Sequence, residues 1–84
     1  MTKEQTVLIN RINELCRGKE YTYYALAYKA SIPFTTLTHI LDGQSKNPGV
    51  FTIMKICDAL DISLKDFFDT EDFELLLKEI DEEK

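Results

Sequence analysis

Thr22-Tyr23-Tyr24-Ala25-Leu26-Ala27-Tyr28-Lys29-Ala30-Ser31-Ile32-Pro33-Phe34-Thr35-Thr36-Leu37-Thr38-His39-Ile40-Leu41-Asp42-Gly43 is the stretch that decides the fold. Thr22 offers a hydroxyl to the free backbone N–H groups of a helix that opens at Tyr23 and runs to Ala30. Ser31-Ile32-Pro33 interrupts it, because proline pushes Ile32 into an extended conformation while Pro33 itself suits the first turn of a new helix. In that new helix Leu37, Ile40 and Leu41 share one face. A rotation of about 100° per residue sets Thr35, Thr38, His39 and Asp42 on the other. Gly43 ends it as a left-handed cap. Two short helices joined by so tight a turn are a common packing hairpin. They are also a device for reading duplex DNA, in which the first helix crosses the backbone and the second lies in the major groove.

Outward from this unit the pattern stays helical. Leu8, Ile12, Leu15 and Cys16 form one stripe, which predicts a first helix from about Lys3 to Arg17 with Gly18 as its stop. Downstream, Gly43-Gln44-Ser45-Lys46-Asn47-Pro48-Gly49 reads as a polar loop. Val50, Ile53, Met54, Cys57 and Leu60 then predict a fourth helix buried along that stripe. Ser63 and Asp66 open a short fifth helix ending near Phe67-Phe68. Thr70 is placed to cap a sixth carrying Phe73, Leu76, Leu77 and Ile80. With only three Gly and two Pro, the chain reads as all-α.

The chain has 84 residues and 44% hydrophobic content, enough for one domain with one core. No apolar run approaches the ~20 residues that span a bilayer, and Met1-Thr2-Lys3-Glu4-Gln5 lacks the apolar core of a signal peptide, so the expected location is cytoplasmic. Cys16 and Cys57 stand apart, with no clustered His or Cys to hold a metal, and read as two buried thiols. One histidine without a neighbouring serine in motif form offers no nucleophile–base arrangement, and the sequence implies neither an enzyme nor a cofactor. The formal charge of -5 is unevenly placed. Residues 69–84 hold eight acidic and two basic side chains, whereas residues 1–68 hold seven acidic and eight basic. The electrostatic footprint for a polyanion is therefore weak, and charge alone does not point to DNA.

Several blocks fall in order across residues 1–68: Arg11-Ile12-x-x-Leu15, Thr22-x-x-x-Leu26-Ala27, Ile32-Pro33-x-x-Thr36-Leu37, Gly43-x-x-x-x-Pro48 and Ile56-Cys57-x-x-Leu60-x-Ile62-x-x-x-x-Phe67. In these the chain resembles the Cro/phage-repressor type helix-turn-helix family, also called XRE. The resemblance implies a five-helix, lambda-repressor-like DNA-binding domain over residues 1–68, with residues 69–84 as an additional acidic C-terminal helix or tail. It also implies a transcriptional regulator that binds double-stranded DNA sequence-specifically, as a homodimer on a near-palindromic operator.

Carried over position by position, the resemblance puts Tyr23 at a phosphate, where many members have glutamine. Phe34, Thr35, Thr38 and His39 fall at base edges, and Gln44, Ser45, Lys46 and Asn47 at a second phosphate contact. The chemistry is suitable: a phenol donates to phosphate, Phe and threonine methyls meet thymine methyls, and His39 can meet guanine or phosphate. Plainer roles stand beside these. Phe34 points partly inward and can serve the core, His39 can be a solvated surface residue, Thr35 or Thr36 can cap the helix, and the loop can be merely solvated. Tyr24 and Tyr28, one turn apart, read as covering the core edge.

Some positions depart from the family pattern. Ser31 stands where glycine is common in the turn, and a left-handed conformation there costs about 1 kcal/mol. Asp42 replaces a frequent asparagine and would repel a phosphate. Cys16 and Leu41 occupy two positions that elsewhere pair arginine with glutamate, and are expected to touch. The low basic charge, Asp42 and the aromatic second helix also fit a protein-interaction module, antitoxin-like or anti-regulator, that keeps the fold without binding DNA. The apolar stripe of the tail fits closure of the core or pairing with a second chain.

Overall fold

The computed structural model describes residues 1–83, and among them there are six α-helices and no strand: α1 Lys3–Lys19, α2 Tyr23–Ala30, α3 Phe34–Leu41, α4 Val50–Ala59, α5 Leu64–Phe68 and α6 Glu71–Glu83. Ile12, Leu26, Leu37, Ile56, Leu60 and Phe67 are fully buried at the centre, with Cys16, Ile40, Ile53 and Cys57 around them. Each of the first five helices sends its apolar stripe into this one cluster. The fold is the all-α helix-turn-helix arrangement that the sequence implies.

Local chemistry sets most helix starts. Thr2 and Gln5 form a reciprocal capping box on α1, Thr22 accepts from the Ala25 N–H at α2, and Ser63 accepts from the Asp66 N–H at α5. The Thr70 hydroxyl oxygen accepts from the Phe73 N–H at the start of α6. Pro33 precedes α3 with no side-chain cap, so neither Thr35 nor Thr36 has that role. Thr36 is half-buried instead.

Helix exits follow a repeated solution. Glu20, Ser31 and Asp61 all adopt the left-handed conformation. In each case the next residue sends its N–H back to a carbonyl in the last turn: Tyr21 to Cys16, Ile32 to Ala27 and Ile62 to Cys57. The residue that follows is apolar and at least half-buried, and this burial offsets the strain of a left-handed non-glycine. The expected stop at Gly18 is thus corrected: α1 continues through Gly18 to Lys19, and Glu20 makes the reversal. A lone glycine near a helix end lowers helix propensity without ending the helix.

The apolar stripe of α4 differs from expectation, and that of α6 divides between the two arrangements left open for it. In α4 the buried set is Ile53, Ile56, Cys57 and Ala59, with Leu60 buried just past its end, while Val50 and Met54 are exposed. The helix is rotated toward Ile56, leaving Val50 and Met54 on the rim. In α6 Phe73 packs against the core and Leu76 is half-buried, but Leu77 and Ile80 stay exposed. This helix lies along α1, where Lys3 Nζ meets Glu79 Oε1 at 3.1 Å. The tail therefore closes over the first helix and keeps an apolar edge uncovered.

Cys16 is part of the buried core, and Leu41 packs against the same cluster. Burial pushes the thiol of Cys16 above its ordinary value. Burial raises Cys57 too, against the opposing charge of Arg11. Because the thiolate is the reactive form, native labelling of either cysteine at neutral pH should require opening of the chain. Labelling is expected to be about five-thousandfold slower than in denaturant, as an opening free energy near 5 kcal/mol demands. Absorbance of a released thiolate reporter measures both rates.

Candidate nucleic-acid interface

The α2–α3 unit owes its angle to Ser31, whose left-handed backbone (φ 56°) turns the chain so that Ile32 is buried and α3 restarts at Phe34. Leu37 and Ile40 anchor α3 on the core. That anchoring leaves Thr35 and His39 exposed on the opposite face, with Thr38 half-buried beside them. The Thr38 hydroxyl donates to the Thr35 carbonyl at 3.0 Å, so its methyl is the free part of the side chain. Phe34 is half-buried and packs against the core, and its ring also stacks on Tyr24. Tyr28 corrects the expectation of an aromatic core edge, since it is 87% exposed. Tyr24 is 71% exposed and covers Phe34 rather than the core.

At the amino end of α2, Tyr23 is exposed, and its hydroxyl donates to Asn13 Oδ1 at 2.6 Å. Asn13, Arg17, Tyr21, Thr22 and Tyr23 line an open cleft where α1 meets α2. The first N–H groups of α2 and the exposed Arg17 guanidinium give this cleft the character of an anion seat. Asn13 and Arg17 were missed in the sequence, although a basic residue in the last turn of α1 is a readable sign. Lys29 leans over the Tyr21 ring at 5.3 Å, which directs that cation along the protein surface.

After α3 the loop is held from within. Asp42 Oδ1 accepts from the Gln44 N–H at 3.0 Å, and Oδ2 accepts from Gln44 Nε2 at 2.7 Å. This pairing turns the Gln44 side chain toward Asp42 and partly satisfies the carboxylate. The Ser45 N–H donates to the His39 carbonyl at 2.9 Å. From α1, Gln5 Nε2 donates to the Gly43 carbonyl at 2.8 Å and reaches the Ser45 carbonyl at 3.3 Å. Lys46 and Asn47 are exposed beyond this clasp. Gln5 was another residue missed in the sequence, though Thr2-x-x-Gln5 is a legible capping box. Arg11, by contrast, faces inward: it donates to the carbonyls of Phe67 and Asp66 at 2.8 and 2.9 Å and its side chain is mostly buried.

The candidate interface is therefore one exposed helix face flanked by two polar, partly cationic surfaces, one before α2 and one after α3. Among the described residues no group of His, Cys, Asp and Glu could hold a metal ion, and no helix is long and apolar enough to cross a membrane. No curated protein and no solved structure matches the chain. The family profile of the Cro/C1-type HTH DNA-binding domain matches residues 11–72, the span from the middle of α1 through the first residues of α6. By that match, together with the α2–α3 unit it contains, the chain belongs to the Cro/C1-type helix-turn-helix family of DNA-binding regulators.

Proposed function

We propose that this regulator is cytoplasmic and recognises one duplex sequence through α3, as a homodimer on a near-palindromic operator. The observation that carries the reading is the exposure of Thr35 and His39 on a short rod whose other face is buried, with acidic α6 packed along α1. Thr35, the Thr38 methyl and His39 meet base edges, and Phe34 meets an apolar one. Tyr23 and Arg17 serve the phosphate before α2, with the Tyr23 hydroxyl exchanging Asn13 for phosphate oxygen. Ser45, Lys46 and Asn47 serve the phosphate after α3, while Gln44 acts mainly by holding Asp42.

The homodimer is supported by an apolar edge that the single chain leaves open. Phe68, Phe73, Leu76, Leu77 and Ile80 line one groove with Glu4 and Glu74 at its rim, and Phe68, Leu77 and Ile80 are exposed. Pairing two copies there buries apolar area that water would otherwise meet. On two half-sites one duplex turn apart, the two copies of α3 would sit about 34 Å from each other.

Selection from random duplex DNA, followed by a salt titration on the winning sequence, tests the reading. Affinity should fall steeply between low and moderate salt, whereas a protein-interaction module would bind no duplex even at low salt. Lys46→Ala is expected to weaken every sequence alike and to reduce the salt slope by about one. His39→Ala is expected to change the preferred base at one position, a loss of about 1–3 kcal/mol on the original operator. Equal loss from His39→Ala on all operator variants would contradict the base-reading role.

A further inference from the structure

Tyr24 lies flat on Phe34, the ring centroids 4.0 Å apart and the planes within 4° of parallel. The pair bridges the first turns of α2 and α3, at the edge of the exposed α3 face. Tyr24 is not there to fill the core, since it is 71% exposed. Nor is the contact a by-product of an aromatic helix surface, since Tyr28 on the next turn stands 87% exposed with no ring partner among the described residues. Phe34 is thus gripped from two sides, by the core cluster on one and by the tyrosine ring on the other. A ring so held has little rotamer freedom to lose on docking.

The exposed part of this pair next to Thr35 is a fixed apolar edge. Phe34 carries neither donor nor acceptor, so the major-groove feature it matches is the single apolar one, the methyl group on C5 of a pyrimidine. We infer that the Tyr24–Phe34 stack is a specificity element for a 5-methylpyrimidine at one base pair of each half-site, with Tyr24 as the positioning residue. The inference rests on the proposed reading of DNA by α3. It adds to that reading a residue of α2 and the chemical class of the base.

The test uses the full chain and the duplex that wins a selection from random DNA, with each thymine replaced in turn by uracil. At one thymine per half-site uracil should bind about fourfold more weakly, the affinity equivalent of one buried methyl group. A duplex with a 5-methylcytosine–guanine pair in place of that thymine–adenine pair should bind better than one with cytosine–guanine there. Tyr24→Ala should bring the thymine-to-uracil ratio at that position toward one while the base preferred through His39 is kept. Tyr24→Phe should restore the ratio, because the ring and not the hydroxyl does the positioning. An unchanged ratio in folded Tyr24→Ala overturns the positioning role. Wild-type binding indifferent to uracil at every thymine overturns the methyl reading while leaving DNA recognition intact. A wild-type chain that enriches no duplex sinks the proposed function itself, and the stack's role with it.

Discussion

Phe67→Ala is expected to remove about 3–5 kcal/mol of stability, the usual cost of emptying a buried phenylalanine site. A small domain has about 5–15 kcal/mol in total, so the variant should lose a large share of its stability margin. The reasons are local to α5. Phe67 is fully buried, meets Phe68 edge-on at 4.9 Å, lies 6.2 Å from Phe73, and has the Arg11 guanidinium 5.9 Å from its centroid. Phe68 and Phe73 meet in turn at 4.8 Å. This aromatic group is the joint through which α5 holds α6. The loss should therefore appear as one cooperative transition shifted to low denaturant, with α6 released in the same step. Urea unfolding followed by circular dichroism measures it, and a change below about 1 kcal/mol would show the joint to be dispensable, since emptying such a site ordinarily costs far more.

Arg11→Ala should cost about 2–3 kcal/mol, as charge-assisted bonds to two carbonyls are lost. The helix it serves has five residues, too short to satisfy its own last carbonyls, and Arg11 supplies donors to Asp66 and Phe67 from across the core. Its side chain is 13% exposed, so water replaces those bonds poorly. Lysine should rescue only part of the loss, because an ammonium lacks the planar fork that reaches both oxygens. The role can be separated from DNA contact. At a temperature where Arg11→Ala remains folded, its salt slope for duplex binding should equal that of the parent, whereas Lys46→Ala lowers the slope. A reduced slope in Arg11→Ala would place that guanidinium at a phosphate.

The central helix pair was legible in sequence because its punctuation is chemical and local. Thr22, Pro33 and Gly43 act on neighbouring backbone groups, so their effect needs no knowledge of the rest of the fold. Ser31 was marked for a left-handed conformation through the family resemblance, since it stands where glycine is common in the turn. What escaped depended on distant partners. Arg11 bonds to carbonyls 55 and 56 positions later, and Gln5 to carbonyls 38 and 40 positions later. Periodicity marks an apolar stripe but not its rotation against neighbours, which is why Val50 and Met54 were expected inside and lie outside, and why the sequence left open whether the stripe with Leu77 and Ile80 closes the core or faces a second chain. Tyr28 followed the same pattern, for an i, i+4 tyrosine pair looks identical whether it covers a core or faces water. The outward set of α3 was read from the wheel alone, and the flanking cleft with Asn13 and Arg17 needed the angle between α1 and α2.

The amide of Gln5 gives the segment after α3 a stillness that its polar composition would not suggest. A chain that must be immobilised by its target surrenders part of its binding energy to that ordering, whereas this one is already moored when the target arrives. On the proposed reading, affinity at Lys46 and Asn47 should consequently be set by charge and reach, with little entropic discount, and loosening Gln5 on α1 would weaken recognition without touching the nucleic acid.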